Sequence, residues 1–140
     1  QMKRSLLLLF MAVLSAAGMA QVRFETSPNA ARRKALASGK PLLVEVGAAW
    51  CQPCRDMERE VFSRGDVGEF VDGNFVPLRI DADTGTGRAV MRKYGVTSLP
   101  SFLVLDTDGN LLGRTAGARP ASDFIADMRR MLRHIADRRR

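Results

Sequence analysis

The stretch Leu42-Leu43-Val44-Glu45-Val46-Gly47-Ala48-Ala49-Trp50-Cys51-Gln52-Pro53-Cys54 decides the reading of this 140-residue chain, because it joins an apolar run to the only two cysteines. Leu42 to Val46 is almost continuously apolar, with Lys40-Pro41 before it and Gly47 after it, as in a strand buried on both faces. Glu45 is the exception within it. From Pro53 onward, Met57, Val61 and Phe62 recur at helical spacing, with Arg55, Asp56, Glu58, Arg59 and Glu60 on other faces. Cys51 and Cys54 therefore stand where a buried strand gives way to a helix.

That position has a chemical consequence. A thiol attacks a disulfide only as its thiolate, and a free cysteine, with a pKa of about 8.5, is mostly protonated at neutral pH. Unpaired N–H groups and the dipole at a helix N-terminus favour the anion. Cys51 is thus the expected attacking thiol, and Cys54, one turn further, the thiol that resolves the mixed disulfide. Pro53 has no N–H to lose and presets a helical φ, while Gln52 leaves the dipeptide without a cation. These two residues are read as tuning the redox pair, toward a reductant or an exchanger of moderate potential.

Other uses of two cysteines fit less well. A bridge across one helical turn closes so short a loop that it removes little unfolded-state entropy, so a structural staple is disfavoured. Zinc asks for about four ligands, and beyond this pair the chain offers only carboxylates and the distant His134. Arg55 rather than histidine follows Cys54, which excludes covalent haem attachment. The expectation is a redox-active disulfide with no metal and no cofactor.

Outward from this centre the chain alternates helices and strands. Ser27-Pro28 opens a helix that runs to Gly39, and Val67, Phe70 and Val71 indicate a further helix ending at Asn74. Phe75 to Ile80 reads as a strand, Asp81 to Gly87 as a loop, and Arg88 to Tyr94 as a helix stopped by Gly95. Phe102 to Leu105 and Leu111 to Thr115 form a hairpin around Asp106-Thr107-Asp108-Gly109. Ser122 is the expected cap of a last helix whose apolar face is Phe124, Ile125, Met128, Met131, Leu132 and Ile135. This order predicts an α/β fold, a central mixed sheet flanked by helices on both faces.

Met2-Lys3-Arg4, the apolar run from Leu6 to Leu14 and the small residues ending in Gly18-Met19-Ala20 have the order of a secretory signal. Leu6 to Ala20 is shorter than the roughly 20 apolar residues of a spanning helix, and cleavage after Ala20 is the simplest reading. Gln1, ahead of the methionine, is set aside as an artefact. The chain then divides into a signal (1–20), an N-terminal extension and helix (21–39), a main domain (40–137) and a basic tail (138–140). The formal net charge is +7, and losing residues 1–20 lowers it by the two cations Lys3 and Arg4. Only Arg138-Arg139-Arg140 is a true basic run, and no aromatic stripe accompanies it, so no nucleic-acid partner is expected.

The strand, Trp50-Cys51-Gln52-Pro53-Cys54, Tyr94-Gly95-Val96, Leu99-Pro100-Ser101-Phe102 and Thr115-Ala116-Gly117 together resemble the thioredoxin family, over about Lys40 to Leu132. Lys40-Pro41, Glu58 and Phe62 resemble the exported thiol:disulfide interchange subgroup. The resemblance implies a thioredoxin-like fold and an exported, monomeric protein-disulfide reductase or exchanger, periplasmic or extracellular. Its partners would be disulfide-containing proteins and a membrane thiol donor. It makes Pro100 a cis-proline, forms the substrate platform from Leu99 and Pro100 with Trp50 flanking it, and gives Glu45 the place of a buried acid that moves protons for Cys54. Glu58, two turns after Cys51, either tunes the pair as in that subgroup or, as its helical position favours, is a solvated surface residue. The competing reading is a thioredoxin-fold binding module, a chaperone or a copper carrier, for which Met57 is the only nearby soft ligand.

Overall fold

The computed structural model describes residues 20–140. The signal segment therefore lies outside the described residues apart from Ala20. Among the described residues, no helix is long and apolar enough to cross a membrane.

The elements follow the expected order. They are α1 (Pro28–Ser38), β1 (Leu42–Gly47), α2 (Gln52–Met57), a π-helical turn (Glu58–Phe62), α3 (Gly65–Asn74), β2 (Val76–Asp81), α4 (Gly85–Tyr94), β3 (Ser101–Leu105), β4 (Leu111–Ala116) and α5 (Ala121–Arg138). Ser27 caps α1 through its hydroxyl, which accepts from Ala30 N at 3.3 Å, and Gly39 ends the helix at φ 72°. Gly95 closes α4 at φ 64°, a left-handed position that glycine occupies without a Cβ penalty.

The strands form one mixed sheet in the order β2-β1-β3-β4, with β1 parallel to β2 and the other pairs antiparallel. Alternation along β1 sorts its side chains to two cores. Leu42, Val44 and Val46 face Ala31 and Ala35 of α1 and the α4 side, while Leu43 faces Met57, Phe62, Val67, Phe124 and Met128. Phe62 meets Phe24, Phe102 and Phe124 edge-on at centroid distances of 5.1, 6.0 and 5.4 Å.

Three local expectations change. Helix α4 starts at Gly85, inside the expected loop, because Thr84 caps it by accepting from Gly87 N at 2.9 Å. Gly87 is required there: a Cβ would fall 1.8 Å from the Asp81 carbonyl oxygen. Helix α5 starts at Ala121 after Pro120, and the Ser122 hydroxyl makes no capping bond. The helix after the cysteines also widens into the π-helical turn, with Ser63 N donating to Glu58 O at 3.1 Å, which keeps both Val61 and Phe62 buried.

The lead before α1 is tied to the sheet. Glu25 N donates to Pro77 O and Arg79 N to Glu25 O, at 2.9 and 2.8 Å, so these residues run alongside β2.

Candidate functional site

Cys51 is the N-cap of α2, and its sulfur accepts from Cys54 N at 3.3 Å. The two residues, with Cα atoms 5.3 Å apart, are joined as a disulfide. Both are buried, 4 % and 7 % exposed. Each lines a different cavity.

Cys51 lines a groove of about 530 Å³ with Trp50, Pro53, Arg88, Ser98 and Leu99. Trp50 is 66 % exposed, so it is a wall of the groove rather than core packing. Its indole Nε1 donates to Asp83 Oδ2 at 2.8 Å. The Leu99–Pro100 peptide is cis, as the resemblance implied. Leu99 faces the groove, and Pro100 is buried with its carbonyl accepting from Gly117 N at 2.8 Å.

Cys54 lines a smaller cavity of about 290 Å³ with Glu45, Gly47, Arg55, Glu58 and Arg79. A Cβ placed on Gly47 would sit 3.3 Å from Cys54 Sγ and 3.8 Å from Glu45 Oε1. The thiol position and that carboxylate oxygen therefore border the same small space. Glu45 is 2 % exposed, and its pKa is raised above the ordinary carboxylate range. Burial is the main cause. Arg79 opposes it, through charge and a hydrogen bond from Nε to Glu45 Oε2 at 2.8 Å. The same guanidinium is also hydrogen-bonded to the Glu58 carboxylate.

Of the residues expected from the sequence, Trp50, Gln52, Pro53 and Leu99 line the groove with Cys51, and Glu45 and Glu58 line the cavity with Cys54. Glu58, half-exposed, is tied into an ion-pair network rather than simply solvated. Gln52 brings no cation, but Arg55 does: its Nη2 donates to Gln52 Oε1 at 2.6 Å, and Arg55 lines the Cys54 cavity. Pro53 sits in the first turn of α2.

Arg79 and Asp83 join the site beyond the residues expected from the sequence. Arg79 had a usable signal. It is the only charge in the strand Phe75 to Ile80, as Glu45 is in Leu42 to Val46, and the parallel register sets the two side by side. Asp83 had none, since its role depends on how the loop after β2 folds. Among the described residues no group of three or more His, Cys, Asp or Glu side chains is arranged to hold a metal ion.

A mixed sheet covered on both faces, with a disulfide in the first turn of the helix after its central parallel strand, defines a thioredoxin-like thiol–disulfide class. Residues 28–132 match the family model described as a thioredoxin-like domain, and the chain belongs to that family. It is 30% identical over 122 residues to the thiol:disulfide interchange protein DsbD of Cronobacter sakazakii, covering 85% of this chain and 21% of that protein. It is 33% identical over 93 residues to the chloroplastic thioredoxin-like protein HCF164 of Oryza sativa subsp. japonica, covering 66% of this chain and 34% of that protein. The chain thus spans between a fifth and about a third of the length of these relatives. The solution structure of a thioredoxin from Thermus thermophilus superposes with a TM-score of 0.70 at 27% identity, covering 80% of this chain and 88% of that one.

Proposed function

We propose that this domain is an exported thiol–disulfide oxidoreductase that reduces or exchanges protein disulfides. The observation that carries the reading is the Cys51–Cys54 disulfide at the start of α2, with the two cysteines opening onto different cavities.

In the reduced state the Cys51 thiolate, favoured by the N–H groups of the first turn, attacks one sulfur of a substrate disulfide. The substrate S–S bond breaks, its other sulfur leaves as a thiolate and takes a proton, and a mixed disulfide forms on Cys51. Cys54 then loses its proton toward Glu45 and attacks the Cys51 sulfur. The second substrate thiol is released and the internal disulfide closes. Two electrons pass from the enzyme dithiol to the substrate, so the redox group is the cysteine pair itself, with no further cofactor. Trp50, Leu99 and the cis-Pro100 segment hold the substrate chain beside Cys51, while Gln52, Pro53 and Glu58 tune the pair.

Return to the dithiol requires an external thiol donor, for which a membrane-held dithiol is the proposed source. The relatives named as interchange proteins support this cycle, and the signal-like order from Met2 to Ala20 supports export to the periplasm or outside the cell.

The test is insulin reduction by the full chain with a chemical thiol donor. Turnover by wild type and its loss in Cys51→Ala support the enzyme. A wild-type protein that leaves insulin intact would instead mark a binding module.

A further inference from the structure

At the far edge of the sheet from β2 lies a feature that the cycle above does not use. β4 is an edge strand, paired only with β3, and α5 packs beside it. A Cβ on Gly113 would sit 3.1 Å from Met131 Sδ, so strand and helix meet closely at that point. Alongside this contact opens a pocket of about 320 Å³, lined by Arg114 from the strand and by Arg130, His134 and Arg138 from the helix. Asp127 lines it too, and positions 127, 130, 134 and 138 recur at three- and four-residue intervals, on one stripe of α5. None of these residues lines the Cys51 groove or the Cys54 cavity.

The charge in this pocket is one-sided. Three arginines line it against a single carboxylate, Asp127. That carboxylate is itself shared, one oxygen accepting from Arg130 and the other from Arg119, which lies outside the pocket. Arg114 donates to the Tyr94 carbonyl oxygen, an acceptor without a charge. Among the described residues neither Arg114 nor Arg138 forms an ion pair. Like charges gathered in a concave space repel, so the arrangement costs free energy until an anion joins it. The last carbonyls of α5, whose partial negative charge would resist an anion, are in part already answered. Arg139 N donates to Ala136 O at 3.3 Å and Arg140 N to Asp137 O at 3.4 Å.

We propose that this pocket binds a phosphomonoester, its phosphoryl group held by Arg114, Arg130 and Arg138, with His134 as a further N–H donor. Charge and geometry both favour that ligand. Three cations less one acid leave an excess of two, and a phosphomonoester carries a charge of about −1.5 to −2 at neutral pH. Each guanidinium presents a fork of N–H groups that pairs with two oxygens at once, and a phosphoryl group offers three such oxygens. A carboxylate, with one charge and two oxygens, answers only half of the excess. The volume is at the small end of small-molecule sites, enough for the phosphoryl group and a few attached atoms. The phosphoryl group belongs either to a soluble ester or to a lipid headgroup, and the chemistry at the pocket is the same for both.

The test is titration of the oxidised full chain with inorganic phosphate and with glycerol 3-phosphate at constant ionic strength, followed by amide NMR. Both should give saturable shifts confined to residues 112–115 of β4 and 127–138 of α5. Arg114→Gln and Arg138→Gln should each weaken binding about tenfold, through the loss of a charge-assisted hydrogen bond. Arg129→Gln removes the same charge from the same helix, but Arg129 lies over the Phe70 ring and outside the pocket. Its binding should change by no more than about twofold, since exposed charges at a distance are screened by salt. The titration needs no redox activity, so its outcome is separate from that of insulin reduction. Should Arg114→Gln fail to fold for want of the Tyr94 contact, Arg138→Gln in the exposed last turn carries the comparison. Phosphatidylcholine vesicles containing phosphatidic acid then distinguish the sources. Capture of wild type and its loss in Arg138→Gln assign the pocket to a headgroup, whereas phosphate binding without capture assigns it to a soluble ester. Absence of saturation, or equal weakening in Arg129→Gln and Arg138→Gln, overturns the proposal, because a diffusely basic surface gives that result. Binding of an oligoglutamate peptide with no response to phosphate overturns it as well, in favour of a docking face for an acidic protein.

Discussion

The groove beside Cys51 and the cavity behind Cys54 are one helical turn apart and are built of different materials. The groove is the larger, and its walls include an exposed indole, Pro53, Leu99 and, from the segment before the cis-proline, Thr97 and Ser98. Its charges are already committed, Asp83 accepting from Trp50 and its carbonyl accepting from Arg88 Nη1 at 2.6 Å. The cavity is smaller and ringed by Glu45, Glu58, Asp81, Arg55 and Arg79. In the proposed cycle the first receives the substrate chain and the second takes up the proton. On that proposal recognition and attack belong to the Cys51 side and resolution to the Cys54 side, and each assignment can be broken separately.

The largest effect comes from removing one sulfur at a time. Cys54→Ser should abolish multiple turnover but still capture substrate, leaving a mixed disulfide on Cys51 visible as a higher band on non-reducing gels and lost on reduction. Cys51→Ser should capture nothing. The reverse pattern, with Cys54 trapping substrate in the absence of Cys51, would exchange the roles of the two sides.

Glu45→Gln separates the sides by proton transfer. General acid–base groups commonly contribute on the order of a hundredfold or more, so resolution of the mixed disulfide should slow by about that much while its formation is nearly unchanged. Stability gives an independent readout. The folded pKa of Glu45 is raised, so between the ordinary carboxylate value and that raised value the folded chain holds more protons than the unfolded one. Stability must therefore fall as pH rises through that window, and the cost persists above it. Urea titrations of the oxidised protein from about pH 4 to about pH 8 should show Glu45→Gln gaining on wild type as pH increases. A gap that does not change with pH would mean that Glu45 ionises as freely in the folded chain as in the unfolded one.

The two sides were also unequally legible in the sequence. Cys51, Cys54, Glu45 and the order of elements could be read because each rests on a local pattern: a strand of apolar residues, a helix start, one acid where no acid is expected. The cis Leu99–Pro100 platform, about fifty residues away, was reached only through family resemblance, since nothing local in Thr97-Ser98-Leu99-Pro100 brings it to the cysteines. Arg79 and Asp83 depend on register and on the loop after β2, which are set by tertiary packing. The start of α4 differs from the sequence expectation for a related reason. Gly85 and Gly87 look like loop residues, yet the Thr84 cap and the close approach of Asp81 O put them in a helix.

The smallest effect tests the groove alone. Asp83→Ala removes the acceptor that fixes the Trp50 indole and leaves the cavity behind Cys54 untouched. A hydrogen bond of this kind is worth about 1 kcal/mol net, and an indole freed to rotate in an exposed position closes one side of the groove only part of the time. KM for a protein disulfide should rise about fivefold, the factor that 1 kcal/mol represents. The resolution rate and its pH profile should stay where they are, because no group facing Glu45 has changed. A small-molecule disulfide that does not reach Trp50 should show no difference at all. If the pH profile moved with Asp83→Ala, the two sides would be coupled through Asp81-Ala82-Asp83, the segment that borders both. Recognition of the chain and transfer of the proton would then be functions of one site rather than two.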